Sequence, residues 1–303
     1  MVGSGLGARV ERVVSRHPVL TFVLFTFLLS YSVGLAGLIM RPAIAALTSS
    51  ELAAQYLSRI GVTGAPALTA LLITRACSGR DGVRALWRSF CPNRVWPWIG
   101  ALVPAGVACA AGAAFLSGAK PAEFTAAARA WPLFGAHLVL QLLVIGCGEE
   151  LGWRGWLLPQ LLRRYRTGSA TVLVAGIWGV WHVPILLTGL RPAMLFLFGV
   201  LGLSLLFTAL WIHLDQNVFA LAVAHASVNA PFAWLEEATV SAAMPSLHLQ
   251  SAWETCLGIY GTAGLLFFVL SRGLYQSRFP NLHPICERQN DGRQDMNNVP
   301  GQL

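Results

Sequence analysis

The sequence predicts an all-α membrane protein, a polytopic bundle of about eight transmembrane helices. Three observations carry this. The chain of 303 residues is 55% hydrophobic and only 11% charged, whereas soluble domains run at about 25% charged. Apolar stretches near the roughly 20 residues needed to span a bilayer recur along the chain, separated by short polar segments. With the N-terminus placed inside, the segments between runs collect fifteen basic residues on one side and five on the other, as the positive-inside rule expects. The five are Arg41, Arg59, Lys120, Arg129 and Arg191, and Arg154 lies within a span. The net charge of +8 is therefore topological. It is scattered over loops rather than gathered on one face, which excludes a nucleic-acid partner.

In order, residues 1–17 form a basic cytoplasmic tail with Arg9, Arg12 and Arg16. The run Pro18 to Met40 is too long for the apolar core of a signal peptide and reads as the first span, ended by Arg41-Pro42. A short interfacial helix follows over Ser49 to Ile60, with Ser49 or Ser50 as its N-cap. The second span, about Gly61 to Cys77, is short and precedes a basic loop carrying Arg80, Arg84, Arg88 and Arg94. Trp96 and Trp98 open the third span, to about Gly118, as interfacial aromatics. A loop with Lys120, Glu123 and Arg129 leads to the fourth span, from Trp131 to about Leu162. The fifth runs from Ser169 to Leu190, the sixth from Ala193 to Ile212, the seventh from Val218 to Leu235 and the eighth from Ser251 to Leu270. Glu236 and Glu237 read as a solvated loop. Residues 272–303 are polar and rich in Arg, Asn, Gln and Pro, a disordered cytoplasmic tail. The expected organisation is thus two cytoplasmic tails around a multi-pass domain over 18–271. The six dispersed cysteines contain no CxxC pair and read as small buried residues. The absence of an internal repeat weighs against a secondary transporter using the carboxylates of the fourth span as a proton relay.

That fourth span contains Cys147-Gly-Glu149-Glu150-Leu-Gly-Trp-Arg154-Gly-Trp-Leu157. A charged side chain at the bilayer centre costs about 2.5–3.5 kcal/mol even on the lenient scale, so three in six positions must face protein or a wet cavity. Glu150 and Arg154 are spaced i, i+4 and can form an ion pair. Glu149 points about 100° away and is the carboxylate left freer for chemistry. Gly146, Gly148, Gly152 and Gly155 keep the helix thin for close neighbours. The fifth span places Trp178 one turn before His182, with Pro184 positioned to bend the helix there. The seventh places His225 and Asn229 on one face. A single intramembrane His or Asn is often only a packing residue. Polar groups at similar depth on three spans are better read as one cluster. A carboxylate beside an imidazole can position and deprotonate water, and Asn and His can donate to an oxyanion. The same groups can instead hold a metal, His182, His225 and Glu149 making a His2Glu set suited to zinc, although no HExxH helix is present. His17, His137, His213, His248 and His283 read as structural or solvated.

Glu149-Glu150-xxx-Arg154, Trp178-xxx-His182 and His225-xxx-Asn229, in that order and each within a span, resemble the CPBP family of intramembrane proteases. This is the CAAX-protease and bacteriocin-processing (Abi) group, related to the type II CAAX-prenyl endopeptidases. The resemblance covers about residues 140–232 and departs at Trp178, where the family often has Phe. It implies a helical protease with its cavity within the bilayer, acting on a peptide or lipidated protein substrate at the cell membrane. It implies that Glu149 with His182 activates water, that His225 and Asn229 stabilise the oxyanion, and that Glu150 and Arg154 shape the site. Both a metal-dependent and a glutamate-dependent mechanism are compatible with it. The alternative is a non-proteolytic immunity or scaffold protein of the same fold.

Overall fold

A computed structural model describes residues 14, 16–90, 95–241 and 247–279. Among them there are helices and turns and no strand. The helices are α1 Pro18–Thr48, α2 Glu51–Leu57, α3 Ile60–Arg88, α4 Trp96–Leu116, α5 Pro121–Arg129, α6 Trp131–Leu162, α7 Thr167–Trp181, α8 Val183–Leu186, α9 Leu190–His213, α10 Val218–Ser241, α11 Leu247–Leu270 and α12 Arg272–Gln276. Among the described residues, seven helical stretches are long and apolar enough to cross a membrane, and α7 is a shorter apolar helix. The protein is thus the all-α polytopic bundle that the hydropathy pattern predicts. The expected extreme N-terminal tail, Arg94 and nearly all of the polar C-terminal tail lie outside the described residues.

Several boundaries differ from expectation, each for a local reason. Helix α1 continues through Pro42 to Thr48. A proline removes only its own donor, and the Ala- and Leu-containing segment after it sustains the helix until Ser49 adopts φ 51°. Ser50 then caps α2, its hydroxyl accepting from the Ala53 amide at 3.2 Å. Helix α3 runs beyond the expected Cys77, because the arginines of the supposed loop are good helix formers. It is interrupted at Gly79, where φ is 62°. Cys77 is disulfide-bonded, not a free buried thiol. The loop expected around Lys120 is largely helix α5, whose Glu123 carboxylate accepts from the Lys120 amide at 2.6 Å. Glu236 and Glu237 belong to α10, which extends to Ser241. The supposed tail begins with α12, where the buried Tyr275 donates its hydroxyl to the Leu205 carbonyl at 2.8 Å.

The fifth span departs most. It is the 15-residue α7, broken at His182 and followed by the one-turn α8. Pro184 has no N–H to give the Val180 carbonyl, and its ring would clash with that carbonyl in a continuous helix. The His182 amide consequently bonds Gly179 O at 3.1 Å, instead of the Trp178 carbonyl that an α-helix would require.

Packing centres on α6, which is not a uniform α-helix. Wider i→i+5 turns at Gln141–Gly146 and Trp153–Leu157 flank the segment Cys147–Gly152, a distortion common at functional sites. Gly148 and Gly152 face the backbone of α3 at Thr63 and Pro66, and Gly146 faces Ala222 of α10, each so close that a Cβ would collide. Gly155 meets only side chains. Backbone contact of this kind brings the polar segment of α6 up against its neighbours.

Candidate active site

The carboxylates of α6 point in different directions, as their 100° separation requires. Glu150 is fully buried. Its Oε1 accepts from Arg154 Nη1 at 3.0 Å and from His225 Nδ1 at 2.8 Å. The equally buried Arg154 donates through Nη2 to Ser204 Oγ of α9 at 3.1 Å. Its guanidinium lies 4.4 Å from the Trp178 ring centre and 5.2 Å from that of Phe207. A charged pair at this depth needs such partners, because its mutual attraction alone does not offset lost hydration. The ion pair expected from the i, i+4 spacing is therefore present, and it is shared with a third residue from α10.

Glu149 turns to a cavity of about 870 Å³ lined by α1, α2, α3 and α6 to α11. His182, His225 and Asn229 line the same cavity, whereas Glu150 and Arg154 stand behind it. Trp178 Nε1 donates to Glu149 Oε2 at 2.8 Å, and no hydrogen bond from the described residues reaches Oε1. The Trp178 ring sits between the imidazoles, its centroid 5.8 Å from His182 and 5.5 Å from His225.

The two histidines have fixed orientations. The Trp178 carbonyl, freed by the break in α7, lies 2.9 Å from His182 Nδ1. A carbonyl only accepts, so Nδ1 carries the proton and Nε2 of a neutral ring presents a lone pair. Glu150 Oε1 likewise accepts from Nδ1–H of His225, leaving its Nε2 for the cavity. All six residues singled out in the sequence thus fall at one place. Several others carried no sequence signal. Ser204 is one hydroxyl in an apolar helix. Tyr31 donates to the Trp181 carbonyl at 2.8 Å, and Trp181 Nε1 donates to Ser30 at 2.9 Å, tying α1 to the break in α7. Trp178 was legible as packing, not as the donor to Glu149.

Among the described residues, no three His, Cys, Asp or Glu side chains are grouped to share a metal ion. The candidate set His182, His225 and Glu149 lines one cavity, but as placed it is not grouped to share one ion. Its Nδ1 atoms and Glu149 Oε2 have protein partners, so Nε2 of each imidazole and Glu149 Oε1 are the atoms that would hold one.

Fold and site together define a multi-pass helical membrane protein with a carboxylate–guanidinium–imidazole cluster at the wall of an intrabundle cavity. Residues 129–231, which contain all three motifs, match the family model Type II CAAX prenyl endopeptidase Rce1-like. A 45-residue stretch is 40% identical to the CAAX prenyl protease 2 of Methanococcus maripaludis, covering 15% of this chain and 17% of that relative. The chain thus carries an Rce1-like segment, and the resemblance read from the motifs is borne out over it.

Proposed function

We propose that the protein is an intramembrane endopeptidase of the CAAX type. Its substrate is a membrane-associated peptide or a prenylated CAAX-like protein, with the scissile bond held in the cavity beside Glu149. The carrying observation is the division of labour between the carboxylates: Glu149 faces the cavity, while Glu150 stands behind it with Oε1 held by Arg154 and His225.

In this reading a water lies between Glu149 Oε1 and His182 Nε2, both of which accept. Its proton moves to one of them as its oxygen attacks the peptide carbonyl. His182 keeps the needed lone pair because Trp178 O holds the other ring proton. Asn229 has no side-chain hydrogen bond among the described residues and is free to donate to the oxyanion. His225 reaches that role once its ring is doubly protonated. In that form Nδ1–H stays on Glu150 and Nε2–H faces the substrate. The proton on the carboxylate or imidazole finally passes to the leaving amine. No metal enters these steps.

The test is cleavage of a panel of prenylated and unprenylated peptides by the purified protein in lipid. Wild type is compared with Glu149→Ala and His225→Ala, each with and without chelator. Cleavage abolished in both variants and insensitive to chelator supports the scheme. Cleavage that survives both substitutions refutes the site, and chelator-sensitive cleavage refutes the metal-free route.

A further inference from the structure

At the end of the bundle where α7 begins, a second cleft of about 650 Å³ opens between α7, α11 and α12. Its rim holds Arg166, the residue that precedes α7, and Arg272, the first residue of α12. Both are exposed, and neither has an acidic partner among the described residues. The walls inward of the rim are apolar: Val172 and Leu173 on α7, 53% and 39% exposed, and Phe268 on α11. The cleft is pre-formed. Thr167 N and Oγ1 both bond Ser277 O at 3.1 Å, and the buried Tyr275 is anchored to Leu205.

We infer that this cleft binds an anionic phospholipid, the phosphate between Arg166 and Arg272 and an acyl chain against Val172, Leu173 and Phe268. Two unpaired cations at a helix end above exposed apolar side chains complement a molecule with a negative head and an apolar tail, arranged in that order across the membrane boundary. Free phosphate satisfies the rim alone and leaves the apolar wall unexplained. The site is separate from the Glu149 cavity, and the inference stands whether or not the protein is a protease.

The test uses the full chain in an uncharged detergent. Native mass spectrometry counts retained phosphatidylglycerol against phosphatidylcholine with the same chains. Two arginines at headgroup depth give wild type a preference on the order of thirtyfold for the anionic lipid, and R166Q/R272Q reduces it to within about threefold. S169W fills the cleft without altering charge and abolishes retention of the anionic lipid. It carries the test if the double arginine variant does not fold. R84Q/R88Q, altering exposed arginines outside the cleft, leaves the preference intact. The inference is overturned if wild type shows no preference, if S169W retains it, if a folded R166Q/R272Q retains it, or if R84Q/R88Q loses as much. Complete displacement of the lipid by equimolar inorganic phosphate overturns it in favour of a free-anion site.

Discussion

Two buried histidines divide this molecule. His225 of α10 gives Nδ1 to Glu150 at 2.8 Å and turns its other nitrogen to the cavity. His137 of α6 has both nitrogens taken: Tyr56 donates its hydroxyl to Nδ1 at 2.9 Å, and Nε2 donates to Glu237 Oε2 at 2.7 Å. Each imidazole touches a carboxylate and each is about 95% buried or more. The difference is the unspent nitrogen. A ring with both positions satisfied joins α2, α6 and α10 and has nothing left to offer a substrate, whereas a ring with one open position can exchange a proton.

The contrast is broken most severely at Glu149. Glu149→Gln keeps the shape and removes the charge, and is expected to lower cleavage by about 10²–10⁴-fold, the usual worth of a general base. Thermal unfolding should scarcely change, because Glu149 is not the carboxylate that Arg154 holds. A large fall in melting temperature would place Glu149 among the structural charges instead.

Arg154→Met should act on the opposite quantity. It strips a partner from the buried Glu150, and breaking such a pair costs about 3–5 kcal/mol of stability. His137→Phe belongs to the same kind but is smaller. Tyr56 and the partly exposed Glu237 lose a partner, for about 1–3 kcal/mol, while any protein that folds should cleave at close to the wild-type rate. His225→Phe should do the reverse, losing cleavage by more than its loss of stability explains. Equal effects of the two histidine variants on kcat would erase the distinction drawn above.

How much of this was legible follows the cost of burying charge. Glu149, Glu150 and Arg154 stand out in the sequence because no bilayer span tolerates them without partners, and His182, His225 and Asn229 stand out by their depth on neighbouring spans. Glu237 and His137 did not, because each sits near a span end where water is an adequate partner. Only the extension of α10 beyond Leu235 and the inward turn of His137 reveal that they meet. Pro42 and Pro184 make the same point about helices. Both are helix-disturbing by local chemistry, yet α1 passes through Pro42 and α7 breaks before Pro184. At that break, Tyr31 and the His182 side chain collect the freed carbonyls of Trp181 and Trp178. The outcome depends on partners distant in sequence, which local propensity does not contain.

Trp178 gives the finest test, because it departs from the Phe common in the resembled family and supplies a donor that Phe lacks. Trp178→Phe keeps an aromatic ring between the imidazoles and beside Arg154, but it deletes the 2.8 Å hydrogen bond to Glu149. That bond favours one carboxylate orientation, so its loss should leave the fold intact and lower kcat about tenfold, the order expected when an orienting partner of a reacting group is removed. A merely structural role for the indole would lower stability and leave kcat unmoved. The two outcomes therefore decide whether Trp178 belongs with His225, among residues that prepare the chemistry, or with His137, among those that hold helices together.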